Sequence, residues 1–129
     1  MLISVITPVY NGNKTITDSI NSLLKQTHEN WELIIINDGS TDDTKDIILA
    51  NKDSRIRYFS QQNQGVSYAR NLGLKVMKGD FFCFLDADDV LPERSLESRL
   101  TVFQDDDKID FVDGKVVFTN YDLSNKIKT

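Results

Sequence analysis

Two aspartates separated by one residue, Asp86 and Asp88, follow the most apolar run of the chain, Phe81 to Leu85. If the chain stays extended there, their carboxylates point to the same side and Asp89 points away. Two close carboxylates need a cation between them, and Mg²⁺ is often held by one or two carboxylates together with substrate phosphates. The pattern therefore indicates a site for a divalent ion and a diphosphate. The alternative is that Asp88 or Asp89 caps a helix that begins near Pro92, and the aspartates alone leave both interpretations open.

Polar residues also follow the three other apolar runs, within Thr7 to Gly12, Asn37 to Ser40 and Gln61 to Gly65. Ligands of open parallel sheets bind beyond the carboxyl ends of the strands, so the four polar segments are predicted to share one rim. Asp38 precedes a glycine that suits a tight turn, and its exposed carboxylate can accept a hydrogen bond from a nucleobase N–H. The alternative is an Asx turn that binds no ligand.

Tyr10 and Arg70 are further candidate binding residues. Tyr10, close to Pro8, offers an aromatic face on which any nucleobase can stack. Arg70 lies near the start of a predicted helix, from which its guanidinium can reach a phosphate or the base. The alternatives are an ordinary loop tyrosine and a surface salt bridge. His28 has no metal-ligating neighbour in the sequence, which indicates a solvated loop residue.

The elements that position these residues are short apolar runs alternating with amphipathic segments, which predicts repeated β-α units. The predicted strands are Leu2 to Thr7, Trp31 to Asn37, Arg55 to Ser60 and Asp80 to Asp86. Repeated β-α order predicts an α/β fold in which a mostly parallel sheet lies between two layers of helices. The last strand is predicted to be central, because its consecutive apolar residues are typical of a strand covered on both faces.

The helix boundaries are predicted from capping residues. Ser40 to Asp43 is expected to begin the second helix, with Ser40 as the N-cap and an acidic residue three positions on. Pro92 is expected in the first turn of a fourth helix. The last segment is predicted to contain strands, with a hairpin turn or a bulge at Asp113 and Gly114. The polar tail 120–129 is expected to fray.

Composition limits the class of protein. A chain of 129 residues fits one domain, and its net charge of −5 provides no basic surface, so nucleic acid is not expected as a partner. The single cysteine, Cys83, excludes an intramolecular disulfide and a cysteine zinc cluster, which fits a cytoplasmic protein. No apolar stretch approaches the roughly 20 residues that span a bilayer, so membrane association is expected only through a C-terminal continuation.

Four segments in this order resemble glycosyltransferase family 2, an inverting family whose catalytic domains have the three-layer α/β/α GT-A fold. The segments are Val5 to Asn11, Asn37 to Asp42, Gly65 to Asn71 and Phe84 to Asp89, and the resemblance covers residues 2 to 92. It implies metal-assisted transfer of a sugar from a nucleotide-sugar donor, usually a UDP-sugar, to an acceptor hydroxyl. The residues implied to bind the donor are Thr7, Pro8, Tyr10, Asp38, Arg70 and Asp86, and those implied to hold Mg²⁺ or Mn²⁺ are Asp88 and Asp86.

The resemblance also implies what lies elsewhere. In this family the general base is farther along the chain, and none of the aspartates at 105, 106, 107, 110 and 113 sits in a recognisable acceptor motif. Residues 1–129 are therefore expected to form a single N-terminal donor-binding domain of a longer enzyme, with the base beyond Thr129 and little activity of its own. The acceptor is expected to be a carbohydrate or a lipid-linked molecule of polysaccharide assembly. The protein is expected in the cytoplasm, with the inner face of the membrane as the alternative for the full-length enzyme.

Two alternatives to a glycosyltransferase remain at this stage. One is a donor-binding module without independent activity. The other is a haloacid-dehalogenase-like phosphohydrolase, because a strand that ends in Asp86 to Val90 also resembles the nucleophile loop of that family. A dinucleotide-binding Rossmann domain is disfavoured, because the chain has neither G-x-G-x-x-G nor a P-loop lysine motif.

Overall fold

The computed structural model describes residues 1–112 and the backbone of two further short strands. The chain forms two compact units, Met1–Glu97 and Ser98–Thr129. The first unit contains strands β1 (Ile3–Val9), β2 (Trp31–Asn37), β3 (Ile56–Ser60) and β4 (Phe81–Phe84) and helices α1 (Ile16–Leu24), α2 (Thr44–Leu49) and α3 (Val66–Val76). Helix α4 (Ser95–Asp105) begins in the first unit, and the second unit contains an antiparallel pair, β5 (Val117–Thr119) and β6 (Lys126–Lys128). Among the described residues, no helix has the length and hydrophobicity needed to cross a bilayer.

The four strands of the first unit are parallel and lie in the order β3-β2-β1-β4. The chain moves outward from β1 to β3 and then returns past β1 to β4. With right-handed crossovers, this reversal puts α3 on one face of the sheet and α1 and α2 on the other. The α/β prediction of a parallel sheet between two helical layers is confirmed. The reversal also makes the crevice between β1 and β4 a topological switch point, where open sheets bind ligands.

Helix α3 approaches the sheet closely because small residues face it. Ala69 is buried against Ile6, Ile34 and Ile36. A Cβ on Gly73 would lie 2.4 Å from Cγ2 of Ile6, so a side chain at this position would push the helix away from β1. All residues of β1 and β2 are buried, as expected for strands covered on both faces.

A buried polar network holds the amino ends of the strands. Glu32, only 6% exposed, accepts hydrogen bonds from Ser4 Oγ at 2.7 Å and from the Lys78 N–H at 2.6 Å. Its other oxygen accepts from Arg57 Nη1 at 2.9 Å, and Ser4 Oγ accepts from the Gly79 N–H at 2.8 Å. Burial alone would raise the pKa of Glu32, but the hydrogen bonds and the nearby guanidinium outweigh burial and lower it. The network therefore fixes the connection between α3 and β4.

The prediction that the fourth strand is central is wrong. β4 pairs only with β1 in the described sheet, and its Phe82 and Phe84 side chains are 50% and 40% exposed. The strand also ends at Phe84, two residues before Asp86. Apolar residues on both faces of a strand are compatible with cover on both faces, but they do not show how many strands flank it.

Two predicted helix boundaries are also wrong. Helix α2 begins at Thr44 instead of following Ser40, because the Asp42 carboxylate accepts from the Thr44 N–H at 3.0 Å. Helix α4 begins at Ser95, and Pro92 lies before it as an acceptor for the Ser95 N–H at 3.0 Å. The predicted turn or bulge at 113–114 lies outside the described residues, as does most of the tail 120–129.

Because Glu32 is buried and ionised, its replacement tests the network at the amino ends of the strands. Glu32→Gln is expected to lower the free energy of unfolding at pH 7 by about 2 kcal/mol, because the amide nitrogen cannot accept the bonds that the carboxylate accepts. The stabilisation depends on the charged form. It is present above the ordinary glutamate pKa of 4.5 and is lost as the pH falls through the lower folded-state pKa.

Urea unfolding at pH 7, 4.5 and 3 measures this effect. The difference between wild type and Glu32→Gln is expected to narrow as the pH falls. Glu29→Gln, at an exposed position, is the matched control and is expected to change stability little at any pH. A constant difference between wild type and Glu32→Gln from pH 7 to pH 3 would contradict the assignment.

Candidate functional site

Asn11 makes several of the hydrogen bonds that tie the loop after β1 to the loop after β2. Asn11 has a positive φ of 50°, and its N–H donates to Ser40 Oγ at 2.9 Å. Its Oδ1 accepts from the Thr41 N–H at 2.7 Å, and its Nδ2 donates to Thr41 Oγ1 at 3.2 Å. Next to it, the Gly12 N–H donates to Thr44 Oγ1 at 3.0 Å. These bonds satisfy exposed backbone groups and hold the two loops as one surface.

Asp38 ties the loop after β2 to the loop after β3. Its carboxylate accepts from Gln61 Nε2 at 2.8 Å, from the Gln64 N–H at 2.8 Å and from the Gly65 N–H at 3.0 Å. Asp38 is 6% exposed, and burial alone would raise its pKa, but these hydrogen bonds outweigh burial and lower it. The carboxylate thus lies at the amino end of α3, where a negative charge is favourable.

The fourth polar segment is the acidic loop, defined here as residues 86–89. The Leu85 N–H still donates to the Ile6 carbonyl at 3.0 Å, and then the chain turns, with the Asp89 N–H donating to the Asp86 carbonyl at 3.0 Å. One carboxylate oxygen from each of Asp86, Asp88 and Asp89 lies within 4.8 Å of the others. The expectation that Asp89 points away is therefore wrong, because the extended strand that it assumed ends before the loop.

The electrostatics of the acidic loop differ from those of Asp38. The pKa of Asp89 is raised, first by burial and then by the negative charges of Asp88 and Asp86. The helix-cap interpretation of Asp88 and Asp89 is not supported, since α4 begins only at Ser95. These carboxylates repel one another in the described structure and have no capping role in α4.

Arg70 connects α3 to the acidic loop. Its Nη2 donates to Asp86 Oδ1 at 3.2 Å, and its guanidinium carbon lies 5.1 Å from the ring centroid of Phe84. Both charged side chains are substantially exposed, so this ion pair contributes little to stability. The Nε atom of Arg70 is buried and has no hydrogen-bond partner in the described structure. Arg70 therefore keeps one N–H donor without a partner among the described residues.

The remaining predicted residues lie at different depths. Tyr10 is 51% exposed at the end of β1, as a stacking residue requires. Pro8 is buried, and Thr7 is 1% exposed with an Oγ1 that has no partner among the described residues. Hydrogen bonds between loops join the carboxyl ends of β1, β2 and β3, and the parallel pairing of β4 with β1 places the acidic loop at the same edge of the sheet. The four polar segments therefore share one rim, while the individual binding roles stay predictions.

Two polar residues, Ser19 on α1 and Gln26 just beyond its end, contact the acidic loop and the segment that follows it, and the sequence did not single them out. Ser19 Oγ donates towards carbonyls of the acidic loop, with Ala87 O at 2.9 Å. Gln26 Nε2 donates to the Pro92 carbonyl at 2.7 Å, and its Oε1 accepts from the Leu96 N–H at 3.1 Å. The available signal was that Ser19 interrupts the apolar stripe of a helix with a polar residue.

The donor atoms of the acidic loop fit a hard divalent cation. All of them are carboxylate oxygens, the ligand type that Mg²⁺ prefers. Opposite ligands of an octahedral Mg²⁺ lie about 4.2 Å apart, from a bond length of about 2.1 Å, and the observed separations are within reach of that value. Two or three of these aspartates can therefore share one ion.

Comparisons with known proteins agree with the sequence resemblance. The family model described as Glycosyl transferase family 2 matches residues 4–128. An uncharacterized glycosyltransferase of Rickettsia bellii is 46% identical over 108 residues, which are 83% of this chain and 16% of that protein. The Escherichia coli protein WfgD, named UDP-Glc:alpha-D-GlcNAc-diphosphoundecaprenol beta-1,3-glucosyltransferase, is 39% identical over 125 residues, 96% of this chain and 47% of that protein. The chain thus spans about a sixth to a half of the lengths of these relatives.

A solved glycosyltransferase structure has the same fold. The crystal structure of S. aureus TarS 1–349 matches 81% of this chain and 33% of that chain, with 31% identity and a TM-score of 0.76. Structures of TarS 1–349 in complex with UDP and with UDP-GlcNAc match at 32% identity, with TM-scores of 0.71 and 0.72. The predicted GT-A fold is confirmed.

The role of Asp38 in holding the loop after β3 can be tested directly. Asp38→Asn is expected to speed amide hydrogen exchange at Gln64 and Gly65 at least tenfold, because an amide cannot accept all three bonds that the carboxylate accepts. Exchange is measured by NMR on the full chain. Asp46→Asn, at an exposed position on α2, is the control. Equal exchange rates at Gln64 and Gly65 in both variants would show that Asp38 does not hold the loop.

Proposed function

This chain belongs to glycosyl transferase family 2, and we propose that its rim binds the nucleoside diphosphate sugar from which a sugar is transferred to an acceptor hydroxyl. The observation that carries the proposal is the acidic loop at the switch point between β1 and β4, with Arg70 of α3 paired to Asp86. Carboxylates for a cation and a guanidinium for a phosphate meet in the crevice where open sheets bind ligands. The TarS complexes with UDP and UDP-GlcNAc support a UDP-sugar as donor.

The nucleobase is proposed to bind between the loops after β1 and β2. Tyr10 offers its exposed ring for stacking, and Pro8 and Thr7 support it from the end of β1. Asp38 accepts three hydrogen bonds, whereas a carboxylate has about four acceptor positions, so one position is left for a base N–H. The proposal gives Asp38 two tasks, to hold the loop after β3 and to recognise the base.

The diphosphate is proposed to bind beside the acidic loop. Asp88 and Asp86 would hold Mg²⁺ or Mn²⁺, and Asp89 lies close enough to contribute. A divalent cation there would neutralise the negative charge that develops on the departing nucleoside diphosphate. Arg70 would orient a phosphate oxygen with its guanidinium, and Asp86 holds that guanidinium in place through their ion pair.

The acceptor side of the reaction rests on the relatives. The name of WfgD describes glucose transfer to a lipid-linked diphosphate sugar, which supports a carbohydrate or lipid-linked acceptor. Inversion at the anomeric carbon requires a general base that takes the proton of the acceptor hydroxyl. In the rim as described, Asp38 and Asp42 accept loop N–H groups, and Asp86, Asp88 and Asp89 form the acidic group. No rim carboxylate is therefore assigned as the base.

A second candidate function follows because no rim carboxylate is assigned as the general base. A donor-binding module without transfer activity of its own would need the same base pocket and the same acidic loop. Donor binding is expected in both cases, and sugar transfer by the purified chain separates them. The phosphohydrolase alternative has no support from the family match, which covers residues 4–128.

The proposed metal role predicts that UDP binding depends on the cation. Wild-type affinity for UDP is expected to rise at least tenfold when Mn²⁺ is added, and Asp88→Ala is expected to remove that rise, because one of the proposed ligands is lost. Calorimetric titration with UDP, with and without Mn²⁺, measures both. Asp46→Ala, which removes an exposed carboxylate in the first turn of α2, is expected to keep the full metal effect. If the wild type binds UDP equally well with and without Mn²⁺, the proposed metal role is refuted.

The proposed stacking role predicts a dependence on the ring at position 10. Tyr10→Ala is expected to weaken UDP binding by roughly tenfold or more, since base stacking on an aromatic ring contributes about 1–3 kcal/mol. Tyr10→Phe keeps the ring and is expected to bind within about threefold of wild type. Tyr68→Ala is the matched control, because Tyr68 is an exposed aromatic residue on α3. If Tyr10→Ala and Tyr68→Ala bind UDP equally well, the base does not stack on Tyr10.

A further inference from the structure

Ser19 lies below the acidic loop in an unusual arrangement of hydrogen bonds. The residue is on α1 and is only 2% exposed. Its hydroxyl oxygen lies 2.5 Å from the Asp89 carbonyl, 2.9 Å from the Ala87 carbonyl and 3.5 Å from the Asp86 carbonyl. Three carbonyls of one four-residue turn therefore converge on a single donor.

This convergence has an electrostatic consequence. Carbonyl oxygens carry partial negative charge, and one carboxylate oxygen from each aspartate of the same turn lies within 4.8 Å of the others, so negative charge is concentrated in this turn. A serine hydroxyl supplies one hydrogen, which the three carbonyls share. Without that hydrogen, partly buried carbonyls would face each other without the Ser19 donor, an unfavourable arrangement that a change in the shape of the turn would relieve.

A second side chain, just beyond the end of α1, contacts the other end of the segment. Gln26, 5% exposed, donates to the Pro92 carbonyl and accepts from the Leu96 N–H. The segment between Asp86 and Leu96 is thus attached at both ends, to Ser19 of α1 and to Gln26 beyond it. Gln26 restrains the exit of the segment, whereas Ser19 contacts the turn that carries the carboxylates.

We propose that Ser19 is a positioning residue of the donor site, whose hydroxyl sets the shape of the acidic loop and so keeps the oxygens of Asp86, Asp88 and Asp89 within reach of one cation. The inference rests on the proposed metal role of these aspartates. Ser19 itself contacts neither the cation nor the donor. It acts through the peptide groups of the loop, in the way that outer-shell partners orient metal ligands.

The test compares Ser19→Ala with Ser22→Ala in the full chain. Ser22 is on the same helix, and its hydroxyl donates to the Ser19 carbonyl at 2.7 Å without contacting the acidic loop. Mn²⁺ binding in the presence of UDP is measured by electron paramagnetic resonance, and amide exchange of Asp89 is measured by NMR without metal. Ser19→Ala is expected to weaken Mn²⁺ binding 10- to 100-fold and to speed Asp89 exchange at least tenfold.

The controls separate positioning from a general loss of structure. Ser22→Ala is expected to keep Mn²⁺ affinity and Asp89 exchange near wild type, and Ser19→Thr, which retains a hydroxyl, is expected to restore most of both. If Ser19→Ala does not fold, Ser19→Cys replaces the hydroxyl with a weakly donating thiol of similar size and is expected to show the same defects in smaller measure.

The outcomes distinguish this inference from the proposed function. If Ser19→Ala binds Mn²⁺ as tightly as wild type does, the positioning role is overturned and the metal role stays intact. The same holds if Ser19→Ala and Ser22→Ala lose Mn²⁺ affinity equally. No Mn²⁺ binding to wild type in the presence of UDP would overturn the metal role and, with it, the role of Ser19 in a donor site. Unchanged Asp89 exchange in Ser19→Ala would overturn the claim that the hydroxyl sets the loop.

Discussion

The parallel pairing of β1 with β4 is the constraint on which the rest of the site depends. Phe84, the last residue of β4, pairs with Ile6, so the acidic loop begins beside the last residues of β1, although the two strands come from distant parts of the chain. Helix α3, which returns the chain across the sheet, can pack closely against β1 because Gly73 contacts Ile6 without a side chain between them. Moving α3 outward would move Arg70 away from Asp86 as well, which links helix packing to the charges of the rim.

The aspartates of the rim differ in the direction of their pKa shifts, and the difference comes from the hydrogen-bond donors around their carboxylates. Asp38 and Asp42 accept N–H groups of the loops, and their pKa values are lowered, so these carboxylates are satisfied by the protein. Asp89 has no such set of donors, and burial and its acidic neighbours raise its pKa. Charge that the protein leaves uncompensated in a crevice is available for a ligand. This contrast supports a cation site at the acidic loop and a structural share in the role of Asp38.

The sequence predicted the rim but not the interactions that build it. Strands β1 and β2 were predictable because their apolar runs end at polar turn formers, and the segments around Asp38 and Asp86 carry a family resemblance. The position of β4 at the edge was not predictable, because Phe82 and Phe84 are apolar whether or not another strand covers them. The predicted helix N-cap at Ser40 was wrong because the N–H of Asn11, distant in sequence, donates to the Ser40 hydroxyl oxygen. Long-range contacts of this kind leave no local pattern.

The two ends of the sheet show how the fold divides stability from ligand binding. At the amino ends, Glu32 is surrounded by donors and Arg57, so its charge is compensated within the protein. At the carboxyl ends, backbone groups are satisfied by Asn11 and Asp38, while in the acidic loop the Ser19 hydroxyl bonds main-chain carbonyls and the three carboxylates lie close together. Repulsion among those carboxylates is a cost of the free protein that cation binding would relieve. Because the charge at the amino ends is compensated, that part of the sheet stabilises the fold in spite of the repulsion at the rim. The same sheet therefore combines a stable amino end with a rim whose charges are not compensated.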